Sequence, residues 1–138
     1  FIDQLSMAIS MHLLHRYGAE VPSASRRSIP LSKRLEAYAK DFLEANLHRD
    51  VSLEELADAC SLSRGYLIRA FRETTGMTPY RWLIARRVER ARHLIEQTDL
   101  PLAQIAATCG FADQSHLSRH CVQLLGDTPG RLRRHVRG

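Results

Sequence analysis

The amino-acid sequence predicts an all-α fold with two helix-turn-helix subdomains joined by one long helix and preceded by an extra N-terminal helix. Apolar residues recur at helical spacing, and no alternating, strand-like stretch of convincing length is present. One stretch of sequence also occurs twice: Leu53 corresponds to Leu102 at an offset of 49 residues, and Gly76 corresponds to Gly126 at an offset of 50. The added residue falls in the turn between two helices, where insertions are tolerated best.

The N-terminal region carries a wide apolar stripe, so residues 1–18 are predicted to form a helix. The stripe consists of Ile2, Leu5, Ile9, Leu13 and Tyr17, broadened by Met7, Met11 and Leu14. Because this arc is too wide for a helix surrounded by water, we interpret it as the end of a preceding effector or dimerisation domain. Residues 19–31 are rich in Ser, Pro and Arg without periodicity, and they predict a linker.

The first subdomain is predicted over residues 32–78, beginning with a helix that starts at Ser32. The apolar face of this helix is predicted to contain Leu35, Tyr38, Phe42, Leu43 and Leu47. Further along, Ser52 and Glu55 have the spacing of a capping box, in which each side chain satisfies a free backbone amide at the start of a helix. This pair therefore marks the start of the second helix.

The helices that follow each turn have their own start and stop signals. Ser63 is expected to cap a helix that runs to Gly76, and Asp113 has the same position in the second copy. Thr78-Pro79 and Thr128-Pro129 each place a hydroxyl before a proline at the first helical position.

The connecting helix is predicted over residues 79–97, followed by the second subdomain over residues 98–138. At about 1.5 Å per residue this helix is about 28 Å long. That length is close to the spacing of about 34 Å between successive major grooves on one face of DNA. The length therefore favours simultaneous contact of both copies with DNA.

Composition points to an intracellular protein with a polyanionic partner. The formal net charge is +5 and the sequence pI is about 9.6. The three cysteines, an odd number, indicate small buried apolar residues in a reducing cytoplasm. No apolar run is long enough to span a bilayer, so no membrane contact is expected.

The two capped helices leave comparable sets of residues on their outer faces. On the helix after Ser63 the outward residues are Arg64, Gly65, Ile68, Arg69 and Arg72. On the helix after Asp113 they are Gln114, Ser115, Ser118, Arg119 and Gln123. Arg69 and Arg119 are equivalent, and arginine binds guanine edges bidentately, so we expect both to contact DNA bases. The alternative is a solvated arginine face, and Ile68 either contacts a thymine methyl or packs within the protein.

Two other clusters of basic or metal-binding residue types lie near the C-terminus. The basic run from Arg131 to Arg137 contacts phosphates or is simply solvated, and Arg133 has an equally plausible structural role. His116, His120 and Cys121 have spacing compatible with a metal ion, but no further ligand pair is nearby, so no metal site is expected. No nucleophile triad, Gly-rich phosphate loop or pair of carboxylates in a cleft-forming context appears, so we predict neither a catalytic residue nor a cofactor.

These residues resemble the DNA-binding domain of the AraC/XylS family of bacterial transcription regulators over about residues 32–136. The most specific matching residues are Ile105-Ala106, Gly110-Phe111, Asp113-Gln114-Ser115-His116-Leu117-Ser118-Arg119, Gly126 and Thr128-Pro129. The first copy matches at Leu56-Ala57, Ser63, Tyr66-Leu67, Arg69, Phe71, Gly76 and Thr78-Pro79, and the connecting helix at Arg87, Ala91 and Thr98.

The sequence departs from the family pattern at four positions. Cys121 and Leu132 replace a usual phenylalanine and a common tyrosine, which predicts a smaller and looser second core. Gly65 and Ile68 fall where members often carry larger or polar side chains, so the first helix is expected to contact fewer bases.

The resemblance implies two subdomains that bind the major groove of double-stranded DNA in a transcription regulator. It further implies an N-terminal effector or dimerisation domain, RNA polymerase as a partner, and a homodimer formed through the N-terminal helix or that domain. The alternative function is a basic helical module that binds RNA or an acidic protein. Preference for one duplex sequence over another distinguishes the two functions.

Overall fold

The computed structural model describes residues 30–137, which form seven α-helices and no strand. The helices are α1 (Lys33–Ala45), α2 (Leu53–Cys60), α3 (Arg64–Thr75), α4 (Pro79–Gln97), α5 (Leu102–Thr108), α6 (Gln114–Leu125) and α7 (Pro129–Arg137). The prediction of an all-α fold with a long helix over residues 79–97 is thereby confirmed. The predicted helix over residues 1–18 and most of the predicted linker lie outside the described residues.

The described residues form two compact units. The first contains residues 30–45 and 51–79, and the second contains residues 46–50 and 80–137. Buried apolar side chains of the first unit come from all three of its helices. On the helices they are Ala39 and Leu43 (α1), Leu56, Ala57 and Cys60 (α2), and Leu67, Ala70 and Phe71 (α3), and the connecting segments add Leu31 and Leu62.

Leu31, which the sequence assigns to the end of the linker, is anchored in the first unit. Its side chain is 7% exposed, and its backbone N–H donates to the Thr74 hydroxyl at 2.8 Å. Because a buried amide needs a partner, this bond fixes the chain just before α1.

The predicted apolar face of α1 is wrong at two of its five positions. Tyr38 is 42% exposed, because the inward arc of the helix is centred on Ala39 and Leu43. The helix ends at Ala45, so Leu47 lies beyond it and is buried in the second unit.

The core of the second unit is built around α4. The core residues are Ile84, Val88, Ala91, Ile95, Ile105, Ala106, Cys109, Phe111, Leu117 and Cys121. The four from α4 recur at helical spacing along one face of that helix. The connecting helix is therefore a structural part of the second unit.

The start signals predicted for the two equivalent helices, and the stop predicted at Gly76, are confirmed. The Ser63 hydroxyl accepts from the Tyr66 amide at 3.2 Å, and the Asp113 carboxylate accepts from the His116 amide at 2.8 Å. Gly76 and Gly126 end α3 and α6 in the left-handed conformation, with φ of 85° and 83°. These signals fix where each outward face begins and ends.

The cysteines are small buried residues, as predicted. Cys60, Cys109 and Cys121 are free thiols in buried positions. Burial raises the pKa of Cys60 and of Cys121 to about 11, so both stay protonated and unreactive at neutral pH.

Candidate DNA-binding surface

The α3 helix separates an inward apolar face from an outward basic face. Leu67, Ala70 and Phe71 are buried, whereas the outward residues Arg64, Gly65, Arg69 and Arg72 are exposed and Ile68 is half-buried. Three arginines thus lie along one exposed face within 12 helical residues.

The first turn of α3 carries an ion pair that the sequence did not suggest. Arg64 Nη1 lies 3.4 Å from Glu54 Oε2, and both side chains are well exposed. Glu54 belongs to the first turn of α2, so the start of one helix brings a carboxylate to the start of the other. An exposed pair of this kind contributes little to the stability of the fold, but the Glu54 carboxylate offsets the positive charge of Arg64 at the start of α3.

Arg69 folds back toward the start of α3. Its Nη1 lies 3.5 Å from the position that a Cβ on Gly65 would occupy. Burial raises the pKa of the Tyr66 hydroxyl, and the nearby Arg69 charge partly opposes that shift. The guanidinium therefore lies over the first turn, next to Gly65 and Tyr66.

The α6 helix shows the same division of faces. Leu117 and Cys121 are fully buried, whereas Gln114, Ser115, Arg119 and Gln123 are exposed and Ser118 is half-buried. A shallow groove on this helix is lined by His116, Ser118, Arg119, His120, Val122 and Gln123. Three of these residues belong to the set predicted from the sequence.

The two histidines of this groove, His116 and His120, contact each other and a buried aromatic ring. Their ring centroids are 4.9 Å apart, and each ring also lies within 6 Å of the Phe111 ring. His116 Nδ1 accepts from the Ala112 amide at 3.1 Å. Among residues 30–137, no group of three or more His, Cys, Asp or Glu side chains is arranged to hold a metal ion.

Electrostatics keep His120 neutral over a wider pH range than an ordinary histidine. Burial lowers its pKa, and the neighbouring His116 and Arg119 lower it further. A hydrogen bond with Gln123 acts in the opposite direction. The i, i+4 spacing of the histidines was the available sequence signal, but it does not reveal their contact with Phe111.

The basic run at the C-terminus serves largely to hold α7 in place. Arg133 Nε donates to the Ile95 carbonyl at 3.0 Å, and Arg137 donates to the Thr98 carbonyl at 2.8 Å and to the Asp99 carboxylate. Such carbonyls at the end of α4 have no helical partners of their own. These bonds support the structural role predicted for Arg133, and Arg137 has a structural role that the sequence did not predict.

Arg87 is a buried residue whose role sequence reasoning missed. It is 3% exposed, and it donates to the carbonyls of Leu47 and Arg49 at 2.8 and 2.7 Å. Burial lowers its pKa, and Asp50 is the first of the charges that oppose the shift. No sequence pattern indicates these bonds, because donor and acceptors lie 40 and 38 residues apart.

Two units, each with a capped helix after a tight turn and a polar outward face, define the class of helix-turn-helix proteins. Residues 56–135 match the family model described as a helix-turn-helix domain. The chain belongs to this family and is of the AraC/XylS type.

Curated relatives include activators of transcription. The chain is 43% identical over 77 residues to the transcriptional activator RhaS of Enterobacter sp. strain 638, covering 56% of this chain and 28% of that protein. It is 33% identical over 123 residues to the activator RhaR of Klebsiella pneumoniae, covering 89% of this chain and 42% of that protein. The chain thus spans less than half the length of these relatives.

Solved structures give the same assignment. The DNA-binding domain of AdpA, in complex with a target DNA, is 33% identical with a TM-score of 0.70, covering 74% of this chain and 92% of that domain. An AraC-type regulator from Chromobacterium violaceum is 29% identical with a TM-score of 0.71, and the match covers 75% of this chain and 93% of that chain.

The chain is therefore an AraC-type DNA-binding domain, and its curated relatives are transcription regulators. The comparisons do not support the alternative of a module for RNA or an acidic protein. Within residues 30–137 no helix is long and apolar enough to cross a membrane.

Proposed function

We propose that this chain recognises one duplex DNA sequence through the outward faces of α3 and α6. The observation that carries the proposal is the equivalence of Arg69 and Arg119, which are both exposed at the same position of the repeated motif. A planar guanidinium donates two parallel hydrogen bonds to a guanine edge in the major groove. Two such residues on two motifs provide two separate points of base recognition.

The other outward residues are assigned by their chemistry. Arg64 and Arg72 bind phosphates, which fixes the position of α3 on the duplex. Gln114 and Ser115 lie in the first turn of α6, from which short polar side chains reach base edges or phosphates. Ser118 and Gln123 contact the same groove from the next turns, while Ile68 and Gly65 complete the surface of α3.

The chain is further proposed to be the DNA-binding part of a longer cytoplasmic regulator. This proposal is supported by the two named activators, since the match covers only 28% of the length of RhaS and 42% of the length of RhaR. In that protein residues 1–18 dock on a preceding domain or on a second subunit, and the DNA-bound regulator contacts RNA polymerase.

Selection from a random duplex library tests the proposal, with a single-stranded DNA library and an RNA library as controls. We expect one enriched duplex motif without a strict inverted repeat, because the two outward faces differ in their residues. Equal retention of duplex and RNA, or no enriched motif, would contradict sequence-specific recognition.

A further inference from the structure

Gly65 occupies a helix position where glycine is not required by the backbone. It is the second residue of α3, and its φ is not among the positive values found at Gly76, Gly110 and Gly126. Glycine is less favourable than alanine in a helix because it loses more conformational freedom on folding. Its presence at an exposed position therefore needs another explanation.

The space over Gly65 is taken by the side chain of Arg69. A Cβ at position 65 would meet one side-chain atom within 4 Å among the described residues, namely Arg69 Nη1 at 3.5 Å. Arg69 lies one helical turn later, and long helical side chains point back toward the N-terminus. The guanidinium is thus held close to the backbone at the start of α3.

The second copy of the motif lacks this arrangement. Ser115 stands at the position equivalent to Gly65, and Arg119 stands at the position equivalent to Arg69. Arg119 lines a groove together with His116, His120 and Gln123. The two equivalent arginines therefore have different surroundings.

We propose that Gly65 is a positioning residue for base recognition, which leaves the first turn of α3 open to the Arg69 guanidinium. The proposal rests on the proposed function, in which Arg69 contacts a base. Bidentate contact requires the planar fork to lie in one orientation relative to the base edge. A side chain that extends beyond Cβ at position 65 displaces the fork, so that one of its two hydrogen bonds is lost.

Two substitutions separate this effect from a change in helix stability. Gly65→Ser introduces the residue that the second copy carries, and its hydroxyl extends into the space of the guanidinium. Gly65→Ala is a smaller change at the same position, because a Cβ at 3.5 Å from Arg69 Nη1 makes only an ordinary van der Waals contact. Both residues are better helix formers than glycine, so neither variant should have a lower melting temperature than the wild type.

The measurement is the Kd for the selected duplex and for duplexes with each base pair substituted in turn. We expect Gly65→Ser to reduce discrimination roughly threefold to tenfold, as for the loss of one hydrogen bond. The reduction should fall at the base pair where Arg69→Ala also reduces discrimination. Gly65→Ala should reduce discrimination at that base pair less than Gly65→Ser does.

A double variant tests whether the loss of base discrimination in Gly65→Ser depends on the Arg69 side chain. In an Arg69→Ala background, Gly65→Ser should change no Kd ratio further. The proposal is overturned if Gly65→Ser leaves discrimination unchanged, or if it has the same effect with and without Arg69, since the glycine backbone would then approach DNA directly. If the wild-type chain discriminates at no base pair, the proposed function itself fails, and this is seen before any variant is compared.

Discussion

Arg87 combines a buried charge with hydrogen bonds to main-chain carbonyls rather than to a carboxylate. Its guanidinium holds the segment 46–50, which belongs to the second unit although it follows α1 directly. Gly110 completes this site, because its φ is +90° and a Cβ there would lie 2.1 Å from the Leu47 carbonyl oxygen. The segment is thus fixed by one donor and by one residue that leaves room for it.

Removing the Arg87 side chain should therefore destabilise the protein markedly. Arg87→Ala leaves two carbonyls without their donor, and we expect a loss of about 2–3 kcal/mol in the free energy of unfolding. Urea denaturation measures this loss. Arg90→Ala, at an exposed position of the same helix, is the control and should change the free energy by less than about 0.5 kcal/mol. Equal stabilities of the two variants would show that the Arg87 bonds contribute nothing.

At the scale of single elements, the start of α6 depends on two side chains. The Asp113 carboxylate accepts from the His116 amide, and the unprotonated His116 Nδ1 accepts from the Ala112 amide. His120 lies against the same ring pair, with its pKa lowered by burial and by His116 and Arg119. Protonation of His120 therefore opposes the folded arrangement.

The second unit is expected to lose stability in mildly acidic solution. An unfolded histidine titrates near pH 6.5, and folded His120 titrates lower, so the unfolded state binds more protons as the pH falls below about 6.5. The contribution of His120 is fully present above that pH and is lost as the pH falls through the folded pKa. Thermal unfolding between about pH 7.5 and 5.5 measures the decline. His120→Gln should make the decline shallower, whereas His93→Gln, on the exposed face of α4, should not. An unchanged decline in His120→Gln would refute this account.

Local signals in the sequence were sufficient to place the helices of the equivalent motifs. Ser63, Asp113, Gly76 and Pro79 act on amides, carbonyls or dihedral angles a few residues away, so their effects are encoded locally. The hydrogen bond of Arg133 could not be predicted from local signals, since its acceptor, the Ile95 carbonyl, lies 38 residues earlier in the chain. The prediction for Tyr38 was wrong because helical spacing shows which residues share a face of α1, but not which residue of that face points most directly into the core.

At the scale of the whole molecule, the two outward faces differ in charge. The α3 face has three exposed arginines, whereas the predicted α6 set has Arg119 with neutral polar residues. Phosphate binding depends on cationic side chains, so α3 is expected to provide more of the electrostatic attraction to DNA. The α6 face is expected to contribute mainly through base edges and through the groove beside His116 and His120.

The central claim is that both copies of the motif contact bases, each through its own arginine. Binding of Arg69→Ala and Arg119→Ala to the selected duplex, and to its single-base-pair variants, tests it most directly. Each substitution should weaken binding to the selected duplex by about 1–3 kcal/mol and should relax preference at a different base pair. If both variants kept the wild-type preference at every base pair, or relaxed it at the same one, recognition by two equivalent arginines would be contradicted.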